Sequence, residues 1–214
     1  MQRSISLTIR QNWRTVWNSS LHRLLTIWGS ILLVIVLSIL PHFFQTVQQR
    51  PGGIHLNDWV LNALPAVNVS TYIFMIIWGL GALTAFRAVA KPIIYTKYIW
   101  LYTFVVISRM LTITLVPLAP PAHLMELVDP LTGIFYGHSL VTKDLFYSGH
   151  VSTLVSIVLC LEKKSDKRIA IAGTCVVAVL LLIQHVHYTI DIIAAPFFVY
   201  ALYRLTQTLF FSNN

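Results

Sequence analysis

The sequence predicts an all-α, polytopic membrane protein built as a six-transmembrane-helix bundle. Of its 214 residues, 57% are hydrophobic and only 10% are charged, whereas soluble domains carry about 25% charged residues. The mean hydropathy is +0.73. Long apolar runs recur along the chain, and the basic residues between them fall into alternate loops. With no repeat or linker visible, residues 1–214 form one membrane domain.

Each predicted span is an apolar run close to the roughly 20 residues that cross a bilayer as a helix. The six runs are Leu24–Phe44, Val69–Phe86, Tyr98–Leu118, Leu145–Leu161, Ile169–Ile183 and Ile192–Tyr203. The fifth is short and reaches spanning length if its helix continues to His187. The sixth begins near Asp191, and we expect Pro196 to kink it.

Lysine and arginine residues lie almost entirely on one side of these spans. The first and third loops hold only Arg50 and Lys143, whereas the opposite side holds twelve basic residues: Arg3, Arg10, Arg14, Arg23, Arg87, Lys91, Lys97, Lys163, Lys164, Lys167, Arg168 and Arg204. The positive-inside rule therefore predicts that both termini are cytoplasmic. This distribution also accounts for the net charge of +8 without a nucleic-acid partner.

Residues 1–23 form a basic segment ahead of the first span. On a helix, its apolar residues share one face, which predicts an interfacial helix on anionic lipid. These residues are Ile9, Trp13, Val16, Trp17 and Leu21. A frayed tail is the alternative.

The first polar cluster is Asp144-Leu145-Phe146-Tyr147-Ser148-Gly149-His150, on the predicted outer side of the membrane. His150 would open the fourth helix, with Ser148 as its N-cap. Gly149 would let the backbone approach a ligand closely. The free amides and positive dipole of a helix N-terminus suit a phosphate group.

The second cluster, residues 185–191, lies on the same predicted side. His187 and Asp191 are four residues apart, so they share a face of a helical turn. A carboxylate bonded to one imidazole nitrogen leaves the other nitrogen as a nucleophile or base. His150 could then protonate the leaving oxygen from the other side of a phosphate. A zinc site using His185 is a weaker alternative, since His185 and His187 diverge on a helix; we therefore expect no metal.

The motifs Asp-x-x-Tyr-Ser-Gly-His at 144–150 and His-Tyr-Thr-Ile-Asp at 187–191 resemble the two catalytic motifs of the sphingomyelin synthase family. That family belongs to the wider type 2 phosphatidic acid phosphatase group. A third family motif is more weakly matched by Arg109, Thr112, Thr114 and Pro117. The resemblance covers about the last half of the chain and indicates a catalytic half at about 98–209.

The resemblance implies six spans, an active site on the extracytoplasmic face and a covalent phosphohistidine, with no cofactor. It makes His187 the nucleophile, Asp191 its orienting partner, and His150 the general acid and base. The expected substrate-binding residues are Arg109, Asp144, Tyr147, Ser148, Gly149 and Tyr188.

Three functions remain open at this point. The favoured one is transfer of phosphocholine or phosphoethanolamine from a glycerophospholipid to a ceramide-like or related lipid alcohol. A lipid phosphate phosphatase would use water as acceptor, but Leu181 stands where that branch usually has an Arg. A non-catalytic lipid binder or transporter would use Arg109 as its substrate contact. The partners are therefore membrane lipids, and a homo-oligomer is compatible with the sequence.

A quaternary ammonium headgroup could be held by charge and cation–π contact. The candidates for such a cage are Glu126, Asp129, Phe135, Tyr136 and Tyr147. Loop carboxylates that are merely solvated are the commoner case.

Overall fold

The computed structural model describes residues 2–127 and 141–212, with side chains from Ile9 onward. The described chain is helical apart from loops and one isolated parallel β-bridge between Ile54 and Leu118, so the all-α prediction is confirmed. Its helices are α1 Gln2–Asn18, α2 Ser20–Gln49, α3 Trp59–Ala63, α4 Ser70–Ala90, α5 Pro92–Leu115, α6 Gly149–Cys160, α7 Lys164–Ile183 and α8 Thr189–Phe210.

Within the described ranges, four helices are long and apolar enough to cross a membrane: α2, α4, α5 and α8. Helix α6 has only 12 residues. Helix α7 has 20, but its first two turns carry four charged residues, Lys164, Asp166, Lys167 and Arg168. The multi-pass character of the protein follows from the four long helices, and the count of six spans stays a prediction.

Two predicted boundaries are wrong. Helix α7 does not continue to His187; it gains its length by starting at Lys164 and ends at Ile183. The reason is local, because His185 adopts a left-handed backbone (φ 54°) that a helix cannot contain. Helix α5 spans Pro92–Leu115, so it begins six residues before and ends three residues before the predicted run Tyr98–Leu118, and Arg109 lies about 9 Å from its C-terminal end.

Among the described helices, α6 is the most enclosed, since none of its residues is exposed. It packs against α5, α7 and α8, and Leu154 and Ile157 are fully or almost fully buried between them. Helix α2 packs mainly on α5 from outside. Large apolar side chains such as Trp28 and Phe197 remain exposed on the outer surface, as expected for helices that face lipid.

The two ends of α4 differ in chemistry. Near its C-terminus, Arg87 Nε donates to Asp166 Oδ2 at 2.5 Å. At its N-terminus, Gln184 Nε2 donates to Ser70 Oγ at 2.7 Å. Gln184 directly precedes the 185–191 cluster, so this cluster lies at the opposite end of the bundle from Arg87, as the loop charges predict. Which end faces the cytoplasm remains a prediction.

Helix α1 is docked against the bundle at the basic end. The Asn12 side-chain amide donates to Ala90 O at 2.8 Å, and the Trp13 indole donates to Val89 O at 2.9 Å. Both carbonyls belong to the last turn of α4. The segment is thus helical and anchored there, and its binding to a membrane surface stays a prediction.

Candidate active site

The segment that precedes α6 wraps around Arg109 of α5. Arg109 Nε donates to Tyr147 O at 2.9 Å, and Nη2 donates to Asp144 Oδ1 at 2.5 Å. Thr112, one turn further along α5, donates to Phe146 O at 2.8 Å. The arginine side chain is only 11% exposed, so Asp144 supplies the counter-charge that a guanidinium inside a bundle requires.

The start of α6 is built around Gly149. A Cβ on this residue would lie 2.6 Å from Arg109 Nη1 and 2.8 Å from its Cζ, so only glycine lets the guanidinium lie directly against the backbone. Ser148 accepts from Val151 N at 3.4 Å, which confirms the predicted N-cap. The amide of Ser148 donates to Asp191 O at 3.1 Å and ties the starts of α6 and α8 together.

The two predicted catalytic histidines lie side by side. The ring centroids of His150 and His187 are 6.0 Å apart, with an angle of 63° between the ring planes. The ring of Phe74 in α4 packs edge-on against the His150 ring, with a distance of 6.1 Å between the ring centroids. The fold thus brings together two motifs that are well separated in the sequence.

His187 lies in the connection before α8, and Asp191 lies in the first turn of that helix. The His187 Nδ1 to Asp191 Oδ2 distance is 3.4 Å, and the two side chains are 2% and 0% exposed. In the described ranges, neither ring nitrogen of His187 forms a hydrogen bond. The Nδ1 nitrogen thus faces a carboxylate at ion-pair distance, which suits the orienting role expected of Asp191. Such contacts often tighten only when substrate is bound.

Two residues expected to contact substrate direct their side chains into the protein. The Tyr147 ring is fully buried and stacks on Phe198 at a centroid distance of 4.5 Å. The Tyr188 hydroxyl donates to Ala119 O at 3.1 Å and accepts from Leu56 N at 3.3 Å. Both tyrosine side chains therefore support the site from within the protein. The Tyr147 carbonyl also accepts the hydrogen bond from Arg109. Their contact with substrate stays a prediction.

The structure does not favour the zinc alternative. The two ring nitrogens of His185 face Ala122 O at 3.1 Å and Leu64 O at 3.2 Å. Throughout residues 2–127 and 141–212, no three His, Cys, Asp or Glu side chains cluster as metal ligands would.

Two further expectations have different outcomes. Thr114 of the third motif is exposed and donates to Met110 O within its own helix, so it does not join Arg109 in the site. The headgroup cage rests largely on Asp129, Phe135 and Tyr136, which lie outside the described residues.

Sequence reasoning gave no role to Asp58, which contacts the second motif directly. Its Oδ2 accepts from Thr189 N at 2.6 Å, and its Oδ1 accepts from Thr189 Oγ1 at 2.9 Å. It also caps α3 by accepting from the amides of Val60 and Leu61. An Asp before a short helix is a recognisable N-cap signal. Its contact with Thr189, 131 residues away, has no local signal.

Part of the chain matches a known protein family. Residues 141–208, about a third of the chain, match the family model described as PAP2 superfamily C-terminal. Asp144, His150, His187 and Asp191 all lie within this stretch. The match supports the predicted resemblance at the level of the superfamily and does not distinguish the sphingomyelin synthase branch. No curated protein matches the chain significantly.

Proposed function

We propose that the protein is a membrane lipid phosphotransferase that moves a phospho-headgroup from a glycerophospholipid to a ceramide-like or related lipid alcohol through a phosphohistidine. The observation that carries the proposal is the arrangement of His187 between Asp191 and His150. A nucleophile with an orienting carboxylate on one side and a second proton carrier on the other is what a double-displacement phosphoryl transfer requires. The superfamily match over 141–208 indicates lipid phosphatase or phosphotransferase chemistry.

In the first half-reaction, His187 Nε2 attacks the phosphorus of the donor lipid. The bond between phosphorus and the diacylglycerol oxygen breaks, and that oxygen keeps the electron pair and takes a proton from His150. Asp191 accepts from the Nδ1–H of His187 and stabilises the positive charge that the ring acquires. The products are diacylglycerol and a phosphodiester-like adduct on His187.

In the second half-reaction, His150 removes the proton of the acceptor hydroxyl. The acceptor oxygen attacks phosphorus, and the bond between phosphorus and Nε2 breaks, with its electron pair returning to the His187 ring. Both histidines then regain their starting protonation states. With a lipid phosphate monoester as donor and water as acceptor, the same two steps would make the site a lipid phosphate phosphatase.

The phosphate charge needs preorganised cationic and donor groups. Arg109 supplies a cation at the start of α6, because its guanidinium lies against Gly149, the residue before His150. Asp144 and Tyr147 O fix two edges of that guanidinium, so it is held in place before substrate binds. Arg109 therefore has both a structural partner and a position suited to contact a phosphate bound at the start of α6.

The test is one assay on purified protein in detergent, with phosphatidylcholine carrying a labelled headgroup, in the presence and absence of ceramide. Labelled sphingomyelin supports the transferase, and labelled phosphocholine without ceramide dependence supports hydrolysis with water as the acceptor. A parallel assay with labelled phosphatidylethanolamine identifies the headgroup. Binding without any product would favour the lipid binder or transporter.

The phosphohistidine is tested by quenching the reaction in alkali, where a phosphoramidate survives, and locating the label by peptide mass spectrometry. His187→Ala should remove both label and turnover, since it lacks the attacking nitrogen. His42→Ala is the matched control, because His42 is an exposed histidine on α2. Turnover in His187→Ala equal to that of this control would exclude the proposed nucleophile.

A further inference from the structure

The N-terminus of α8 is held by a carboxylate from the first loop of the protein. Both oxygens of Asp58 accept hydrogen bonds from Thr189, one from its amide and one from its hydroxyl. Thr189 lies between the proposed nucleophile His187 and its partner Asp191. The same carboxylate caps α3 through Val60 and Leu61, so Asp58 joins two helix starts.

Asp58 and Asp191 both accept hydrogen bonds from backbone amides at the N-terminus of α8. Asp191 Oδ2 accepts from Tyr188 N at 3.2 Å, while Asp58 accepts from the next amide at 2.6 Å. A helix N-terminus leaves its first amides without intrahelical partners, and a carboxylate there both accepts from them and interacts favourably with the helix dipole. Without Asp58, the Asp191 carboxylate would be the remaining acidic cap for these amides, and it would be drawn away from His187.

The loop that carries Asp58 is itself fixed to the rest of the protein. Ile54 N donates to Pro117 O at 2.9 Å, and Ala119 N donates to Ile54 O at 3.0 Å. Leu56 N donates to the Tyr188 hydroxyl. The Asp58 carboxylate is therefore presented to Thr189 from a braced segment, as a positioning group requires.

We infer that Asp58 is a positioning residue for the active site: by holding Thr189, it keeps Asp191 directed at His187. This inference rests on the proposed function for its catalytic consequence. Asp58 acts through Thr189 and Asp191, because its carboxylate oxygens are occupied by amides and a hydroxyl of the protein.

The electrostatics of Asp58 agree with this role. Burial raises the pKa of the Asp58 carboxyl, but hydrogen bonds from the Thr189 amide and hydroxyl, and from the amides of Leu61 and Val60, outweigh it. The net effect lowers the pKa below its usual value of 3.8. Asp58 is thus ionised at neutral pH and forms charge-assisted bonds.

The first measurement is steady-state kinetics of the full chain on its best labelled phospholipid. Asp58→Asn keeps the size of the side chain but removes the charge and places an amide group where one acceptor oxygen stood. We expect kcat per folded protein to fall about tenfold to a hundredfold, as small misplacements of catalytic groups do, with a much smaller change in KM. Asn62→Ala is the matched control in α3, since its side-chain amide bonds only to Asn57 at the surface among the described residues.

The second measurement needs no substrate. The titration of the His187 ring is followed by NMR on protein with ¹⁵N-labelled histidine, and its signal is assigned by its loss in His187→Asn. Asp58→Asn should lower the midpoint, since a displaced Asp191 stabilises the imidazolium less. Thr189→Val removes one of the two bonds without changing any charge, so a lower midpoint in this variant reports geometry and not the lost charge of Asp58.

The two measurements separate failure of the inference from failure of the proposed function. If wild-type protein turns over no phospholipid, the proposed function fails, and the His187 titration alone decides the inference. An unchanged His187 midpoint in Thr189→Val, with kcat in Asp58→Asn equal to that of Asn62→Ala, would overturn it. If Asp58→Asn does not fold, Thr189→Val alone decides, by kcat and midpoint together.

Discussion

Substitution of Gly149 by alanine tests whether the close contact between Arg109 and the start of α6 stabilises the protein. The added Cβ would stand 2.6 Å from Nη1, and ordinary contact begins at 3.4 Å. The guanidinium must therefore retreat by about 0.8 Å, and a shift of that size along the Nε to Tyr147 O direction would lengthen this 2.9 Å bond beyond hydrogen-bond range. A lost hydrogen bond to a charged group costs about 1.5–3 kcal/mol, and overpacking costs about 1–3 kcal/mol.

The hydrogen-bond cost and the overpacking cost arise from the same displacement of Arg109, so they are not added together. We expect a loss of about 2–3 kcal/mol in stability. If the same displacement moves Arg109 away from bound phosphate, kcat/KM should fall by about tenfold to a hundredfold, since 1.4 kcal/mol corresponds to a factor of ten. The assays are thermal unfolding in detergent and turnover of labelled phospholipid.

Gly81→Ala in α4 is the matched control, because a Cβ there meets no atom within 4 Å. The same chemical change at that position should leave stability equal to wild type or raise it, since alanine is the better helix former. Equal melting temperatures for the two variants would show that displacing Arg109 does not lower the stability of the protein. That result would refute the claim that close contact between Arg109 and Gly149 stabilises the fold.

Three further predictions concern the His187–Asp191 pair, the partly buried ion pair between Arg87 and Asp166, and the topology. Asp191→Asn should slow turnover by orders of magnitude yet keep the fold, since the imidazole loses its orienting charge; near-normal turnover would remove Asp191 from the mechanism. Hydrogen bonds from Arg87 lower the pKa of Asp166 from 3.8, so this pair stabilises the protein at neutral pH, and its contribution is lost progressively as the pH falls from about 4 through the lowered pKa. Wild-type melting temperature should then fall more steeply on acidification than that of Asp166→Asn, and parallel curves would contradict this. In a background without native cysteines, Asn62→Cys should react with an impermeant thiol reagent in intact cells and Ser165→Cys should not; the reverse pattern would invert the topology.

Local chemistry explains the parts of the fold that the sequence predicted well. Apolar runs with few charges predict membrane helices because every backbone group in lipid must be satisfied within its own segment. Ser148 as the N-cap of α6 follows from a hydroxyl directly before a helical run. Hydropathy placed the start of α7 too late, because it excludes a charged first turn that is nevertheless helical. It also allowed the helix to continue to His187, because it cannot detect the left-handed backbone of His185.

The two candidate motifs were visible in the sequence because the members of each lie within seven residues of one another. Asp144 to His150 and His187 to Asp191 each fit into two helical turns, so spacing alone suggests that they act together. The match over 141–208 covers both motifs. The roles of these side chains in the reaction remain predictions for the experiments above.

Only the tertiary structure decided how these motifs are held. Arg109 meets Asp144 across 35 positions, and Asp58 meets Thr189 across 131. Such contacts depend on where the packing of several helices places two distant backbones, and neither residue carries a pattern that names its partner. The sequence determines which local elements form and which residues could do chemistry, because those properties depend on near neighbours. The geometry that sets His187 between Asp191 and His150 exists only once α5, α6 and α8 have packed together.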